Sequence, residues 1–264
     1  MGRPKRANDG GMVFHALNRA NARAQIFYKP EDYVAFESAL AEARERTGMR
    51  ILSYCLMPNH WHLVLWPKKD GDLSRFMGWL TLTHTQRWHA HYQTTGTGHV
   101  YQGRFKSFPV QADEHFLAVC RYVERNALRA GLCSLAEEWA WSSLYHRLRQ
   151  DEMATKVLSE WPVARPRLWL RHLQQPQSEA ELAALRRSVS RGSPFGASEW
   201  IQRVAKHLDL ETTLRPRGRP RKQENNGYCG RDRPYGRPPA QIRTCSTTAY
   251  GSYLGCRRLN LTLG

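Results

Sequence analysis

Residues 49–66, Met-Arg-Ile-Leu-Ser-Tyr-Cys-Leu-Met-Pro-Asn-His-Trp-His-Leu-Val-Leu-Trp, hold two apolar runs separated by Pro58-Asn59. Runs of this length and composition favour strands, and Pro-Asn is turn chemistry. Met49–Met57 and His60–Trp66 therefore read as paired strands. Side chains alternate between the two faces of a strand, so His60 and His62 share one face while Trp61 and Leu63 take the other.

The flanks complete the pattern. Upstream, Val13–Leu17 is a short strand, followed by a loop rich in Asn and Arg. Pro30 opens a helix in which Tyr33, Phe36, Leu40 and Ala43 recur at helical spacing, and Thr47-Gly48 ends it. Downstream, Pro67–Gly71 breaks the second strand and Leu73–Tyr92 is a long helical stretch. Tyr101–Val110, carrying Gly103-Arg104, reads as a fourth strand. Asp113 caps a helix expected to run to Ala130 and stop at Gly131. The order β-α-β-β-α-β-α predicts an α+β fold. It is a ferredoxin-like βαββαβ antiparallel sheet with helices on one face and one helix added after it. Trp139–Leu148 reads as a further packed segment, Gln150–Pro176 as irregular, and Glu179–Val189 and Ser198–Leu208 as short helices.

Charge narrows the function. The 264 residues carry +17, with 11 Lys/Arg against 2 Asp/Glu in residues 212–264 alone. A surplus of this size attracts polyanions, and nucleic acid is the commonest. The densest stretch, Arg215–Lys222, has Arg215, Arg217, Arg219, Arg221 and Lys222 spaced by Pro and Gly, which suits an extended arm and not a core. Arg3, Lys5 and Arg6 crowd the start, and Arg19, Arg23, Arg104 and Lys106 are further candidates for phosphate contact. No apolar run is long enough for a membrane span, and the basic N-terminus lacks the apolar stretch of a signal peptide. The six cysteines form no C-x-x-C pair, which fits reduced thiols in a cytoplasmic protein, and the basic charge adds the expectation that it is nucleoid-associated.

Two imidazoles at i and i+2 on a strand can chelate a divalent cation and leave positions open for a phosphate. Taken alone, the pair fits two histidines on a half-exposed strand face equally well. The helix after Asp113 adds to the case. Phe116, Cys120, Val123 and Ala127 form its core stripe, while Tyr122 and Asn126 lie one turn apart on a different side. A phenol can attack a phosphodiester, and an amide oxygen is a hard metal ligand. On the long helix, His84, Trp88 and His91 share a face that suits a core or dimer contact better than a metal. Trp139 and Trp141 suit packing better than base stacking.

The runs YCLMPNHWHLVLWP (Tyr54–Pro67), GRFKS (Gly103–Ser107) and RYVERNALRAGL (Arg121–Leu132) together resemble the REP-associated tyrosine transposases, relatives of the single-tyrosine insertion-sequence transposases. The similarity spans roughly residues 3–150, and Arg191–Lys222 is similar to the C-terminal region of some members. The resemblance implies a catalytic domain over residues 1–150; composition and patterning divide the rest into an irregular and helical extension over 151–211 and a basic, disordered tail over 212–264, of which Gly227–Gly264 has no counterpart in the family. It implies cleavage and rejoining of single-stranded DNA hairpins at palindromic repeats, dependence on Mg²⁺ or Mn²⁺, and a monomer or homodimer. His60 and His62 match the family's metal ligands, Asn126 the polar third ligand, and Tyr122 the nucleophile. One departure is Asn126-Ala127-Leu128, where members commonly read Asn-Pro-Val; loss of the proline predicts a straighter helix end. Two other readings fit the charge: a DNA-hairpin binder without strand transfer, and an RNA-binding module. The second lacks the aromatic signature of RNA-binding sheets.

Overall fold

The computed structural model describes residues 7–215. Four strands, β1 (Val13–Arg19), β2 (Arg50–Met57), β3 (His60–Trp66) and β4 (Lys106–Val110), form one sheet in the order β2-β3-β1-β4, with every neighbouring pair antiparallel. This is the predicted split β-α-β arrangement. Its helices are α1 (Pro30–Thr47) and α2 (Asp72–Tyr92). Pro30 starts α1 where its missing N–H costs nothing, and Gly48 ends it at φ 68°, a left-handed conformation that glycine adopts freely.

The strands divide their side chains between two cores. Phe14, Ala16, Tyr54, Leu56, Trp61, Leu63 and Leu65 pack with α1 and α2 on one face. Val13, Leu52, Cys55, Met57, Val64, Phe108 and Val110 pack on the other against α3 (Glu114–Glu124). The two helices of the split β-α-β core thus share one face, as predicted, and the added helix takes the other, a placement that the sequence did not specify. The helix that follows the sheet covers its second face, because Phe116, Cys120, Val123 and Ala127, all fully buried, need an apolar surface to meet.

Three further differences stand out. The fourth strand begins at Lys106 and not at Tyr101; residues 102–104 bend away, and Tyr101 makes only an isolated bridge to Ala20. Tyr101 is held instead by its hydroxyl, which accepts from Trp61 Nε1 at 3.0 Å and meets His84 Nδ1 at 2.7 Å. The helix expected to reach Ala130 breaks at Arg125 (φ −84°, ψ 0°) and resumes as α4 (Asn126–Arg129), so absence of a proline does not leave this end straight. The segment expected to be irregular, Gln150–Pro176, contains α6 (Glu152–Val157) and α7 (Trp169–Gln174), following α5 (Ser143–Arg149). Short helices of this kind carry little apolar periodicity and are set by tertiary contacts.

Of the remaining helices, α8 (Glu179–Arg191) and α9 (Ser198–His207) lie close to their predicted places, and the short α10 (Glu211–Leu214) was not predicted. Trp139 and Trp141 are packing residues: Trp139 Nε1 donates to the Leu56 carbonyl at 2.8 Å, and Trp141 stacks on Tyr33 with centroids 4.7 Å apart. His84 is buried core, as its face predicts. Among the described residues Cys55, Cys120 and Cys133 are free thiols. No helix among them is long and apolar enough to cross a membrane.

Two polar clusters pin the added helices to the sheet. The Glu124 carboxylate, fully buried, accepts from Ser53 Oγ at 3.2 Å, Ser143 Oγ at 3.1 Å and Trp169 Nε1 at 2.8 Å. A β-bulge between Ile51 and Ser53 helps, since it turns both Leu52 and Ser53 toward α3. Elsewhere, the His146 ring on α5 bridges Glu37 Oε1 on α1 at 3.0 Å and Asp151 Oδ2 at 2.7 Å. Burial draws its pKa down, but the bonds to Glu37 and Asp151 outweigh burial and hold it above the ordinary value of 6.5.

A histidine whose folded pKa is raised stabilises fully below its unfolded pKa, and that contribution disappears as pH rises through the folded pKa. Urea unfolding of the wild type should therefore show stability falling above pH 6.5. His146→Gln should be less stable at pH 6 and lack that decline. A parallel decline in both proteins would show that His146 carries no proton between its two carboxylates.

Candidate active site

Strand β3 delivers the central pair. His60 and His62 face the α3 side with ring centroids 5.1 Å apart, while Trp61 and Leu63 are buried on the α1/α2 side. Helix α3 crosses this face and brings the Tyr122 ring to 5.7 Å from His62, edge-on. Tyr122 and Asn126 are both at least nine-tenths buried, so neither is a surface residue of an amphipathic helix.

These four residues line one cleft of about 460 Å³. Arg19, Arg104 and Lys106 line it too, as do Asn18, Gln102 and Gly103. Arg19 stands directly opposite His60 in the β1–β3 register, and its Nε is buried without a hydrogen-bond partner. No Asp or Glu lines the cleft. A cavity with cationic walls, an unpartnered guanidinium nitrogen and no carboxylate is suited to an anion.

The other candidates do not join it. Arg23 belongs to the turn Asn21–Arg23, where its carbonyl accepts from Asn59 Nδ2, and it does not line the cleft. Arg215 is exposed at the end of the described chain. Arg3, Lys5, Arg6, Arg217, Arg219, Arg221 and Lys222 lie outside the described residues.

Two residues absent from the sequence expectations contact the cleft residues without being among those that line the cleft. His15, on β1 and fully buried, places Nε2 2.9 Å from His62 Nδ1, with the two rings stacked at 5.0 Å. Its discovery needed the β1–β3 register, which pairs His15 with Val64 and which the sequence does not encode locally. Arg129 was more accessible to sequence reading. It stands three residues after Asn126 and seven after Tyr122, which is one helical face. Its guanidinium sits 4.3 Å over the Tyr122 ring, and Nη2 donates to Asn126 Oδ1 at 2.9 Å.

The imidazoles are held neutral. Burial lowers the pKa of His60 to about 4, with Arg19 and Arg129 adding to the effect. Burial, followed by His15 and His60, holds His62 well below the ordinary value, and burial lowers His15 to about 3. His60 Nδ1 meets Asn59 Oδ1 at 2.6 Å and His62 Nδ1 meets His15, so each ring has its Nδ1 engaged and Nε2 left over. Two neutral imidazoles with Nε2 unengaged suit a divalent cation, the more so because each Nδ1 has an orienting partner. Asn126 fits less simply, because its oxygen is already taken by Arg129.

Two other features are set aside. Asp113, Glu114 and His115 cluster at the start of α3, but Asp113 caps that helix and bonds the His115 ring, and none of the three lines the Tyr122 cleft. A larger cavity of about 840 Å³, mostly apolar, lies between α3, α8 and α9 and holds none of the predicted site residues.

Residues 10–126 match the family model described as transposase, IS200-like. No curated protein matches the chain. Among solved structures, one of a REP-associated tyrosine transposase bound to a REP hairpin is similar at 17% identity and TM-score 0.47, covering 62% of this chain and 95% of the other. A protein from Deinococcus radiodurans, assigned by name to the transposases, is similar at 17% identity and TM-score 0.35, covering 47% and 97%.

The buried contact between His15 and His62 can be measured. His15→Phe keeps the ring volume but leaves His62 Nδ1 without its partner, which should cost about 1–3 kcal/mol in denaturant unfolding. With His62→Phe, the pair should be strongly non-additive, since the second change removes the group that the first left unpaired. Strict additivity would mean that the two rings share no hydrogen bond.

Proposed function

From a chain whose residues 10–126 belong to the IS200-like transposases, we propose a single-tyrosine DNA transposase of the REP-associated type. It cleaves and rejoins single-stranded DNA at short palindromic hairpins. The observation that carries this reading is the cleft itself. One buried phenol, two neutral imidazoles and three cationic side chains share it without a carboxylate.

Tyr122 is the nucleophile. Its Oη bonds to phosphorus as the P–O3′ bond breaks, giving a 5′-phosphotyrosine and a free 3′-hydroxyl, with the phenol proton passing in net to the departing oxygen. One phosphoester replaces another, so a 3′-hydroxyl can reverse the step without an external energy source. Arg19, Arg104 and Lys106 hold the strand through its phosphates, and Lys106 and Arg19 line the cleft from adjacent strands. His60 and His62 would hold Mg²⁺ or Mn²⁺ through Nε2, and Asn126 would add its oxygen. When bound, the ion supplies positive charge against the non-bridging oxygens of the reacting phosphate.

Tyr122→Phe retains the ring and helix but removes the attacking oxygen. It should abolish the covalent protein–DNA adduct on a denaturing gel while hairpin binding stays within about twofold. His60→Ala and His62→Ala should each lower cleavage by at least about two orders of magnitude, and a chelator should stop the wild type. An adduct that survives Tyr122→Phe would assign the nucleophile elsewhere. Indifference to chelator would remove the metal, and binding with no adduct under any condition would favour a hairpin-binding protein without strand transfer.

The arm containing Arg215, Arg217, Arg219, Arg221 and Lys222 contributes sequence-independent attraction in this reading. Each phosphate contact on single strands adds roughly 0.7 to the log–log salt slope, so truncation after Leu214 should flatten it by about two to three. Hairpin and scrambled strands should weaken alike in a salt titration. If only the hairpin weakens, the arm reads shape or sequence.

A further inference from the structure

The Arg129 guanidinium occupies an unusual place for a charge. It lies over the Tyr122 ring at 4.3 Å, donates to Asn126 Oδ1 at 2.9 Å and reaches the Tyr122 carbonyl at 3.4 Å. All three partners are neutral. Among the described residues no carboxylate pairs with it, although Arg75, Arg87, Arg121, Arg165 and Arg186 each have one. Asn126 is complementary: its Oδ1 is taken by Arg129, and its Nδ2 is buried with no partner at all. The amide is thus held in the cleft by a single side-chain bond.

We propose that Arg129 is a phosphate-responsive latch on this site. In the DNA-free protein it keeps the Asn126 oxygen engaged and rests on the nucleophile's ring. A phosphodiester entering the cleft offers the guanidinium two anionic oxygens in the planar, bidentate geometry that it prefers over a neutral amide. The guanidinium turns to the phosphate, and the Asn126 oxygen is released at the moment the substrate arrives. Arg129 is therefore a phosphate contact in the bound state and a positioning residue for Asn126 in the free one. No covalent step is involved. The device orders events, since the third oxygen ligand becomes available only once DNA is present.

The role of Asn126 as a metal ligand rests on the proposed function above, so the test has one arm with metal and one without. In the first, Mn²⁺ affinity of the full-length, DNA-free protein is read from the electron paramagnetic resonance of the free ion. Arg129→Met keeps the apolar stem against the Tyr122 ring and frees the Asn126 oxygen, so Mn²⁺ should bind about tenfold more tightly, the scale of one hydrogen bond to a charged group. That gain should disappear when Asn126→Ala is added. A gain that persists in the double variant would come from removing a positive charge alone and would overturn the latch, as would no gain in either. Affinity unaffected by His60→Ala would instead sink the metal assignment.

The second arm measures binding of a scrambled single-stranded oligonucleotide in excess chelator and so decides the latch whatever the metal does. Arg129→Met should weaken binding about tenfold, and Asn126→Ala should tighten it severalfold, because the guanidinium no longer leaves a partner to reach the phosphate. Arg129→Lys, which keeps the charge without the planar fork, should fall between Arg129→Met and the wild type. Unchanged affinity in Arg129→Met, or weakening in Asn126→Ala, would exclude competition between Asn126 and phosphate for the guanidinium.

Discussion

A carboxylate with no solvent exposure is stable only if its lone pairs are satisfied, and Glu124 meets that demand with donors from three separate parts of the chain. Ser53 comes from β2, Ser143 from the start of α5 and Trp169 from α7. Because Glu124 is in the last turn of α3, meeting its bonds fixes the rotation of that helix on the sheet. Tyr122, two residues earlier, is thereby pointed along a direction that leads to His62. A rotation of α3 by one residue would separate the phenol from the imidazoles and leave the carboxylate unpaired, so stability and site geometry rest on one anchor.

The same anchor explains why the segment after residue 150 packs on the sheet when its sequence is unpromising. Trp169 brings an indole N–H that the carboxylate needs, and Trp161 donates to the Leu52 carbonyl at 2.7 Å beside the β-bulge. Isolated bridges from Leu158 to Ile51 and from Phe195 to Val110 extend this seam along both edges of the sheet. The extension thus stiffens the floor under α3, and Val189 from α8 reaches the cleft wall.

The two faces of β3 divide the work. Trp61 anchors the cleft's outer loop from behind: its indole N–H fixes Tyr101, the residue before Gln102, Gly103 and Arg104. His60 and His62 face the cleft without a direct carboxylate partner, unlike His146, whose two carboxylates raise its pKa above the ordinary value. Burial among cations favours the neutral imidazole at one place, and burial between anions favours the imidazolium at the other. The cleft therefore combines cationic walls with neutral imidazoles and has no carboxylate in its lining.

Local periodicity determined much of this. The alternation in β3 put His60 and His62 on one face, the spacing of Phe116, Cys120, Val123 and Ala127 separated the core stripe from Tyr122 and Asn126, and the order of elements predicted the sheet. Both patterns are legible because a strand or helix repeats its geometry over residues adjacent in sequence. Register, helix rotation and long-range partners are not local. They decided that β4 starts at Lys106, that α3 covers the second face and breaks at Arg125, and that His15 supports His62 from a strand 47 residues away. They also decided that Arg23 falls outside the cleft while Arg19 stands opposite His60. A buried imidazole or guanidinium takes the partner that folding brings within about 3 Å, and nothing in the neighbouring residues specifies which partner that will be.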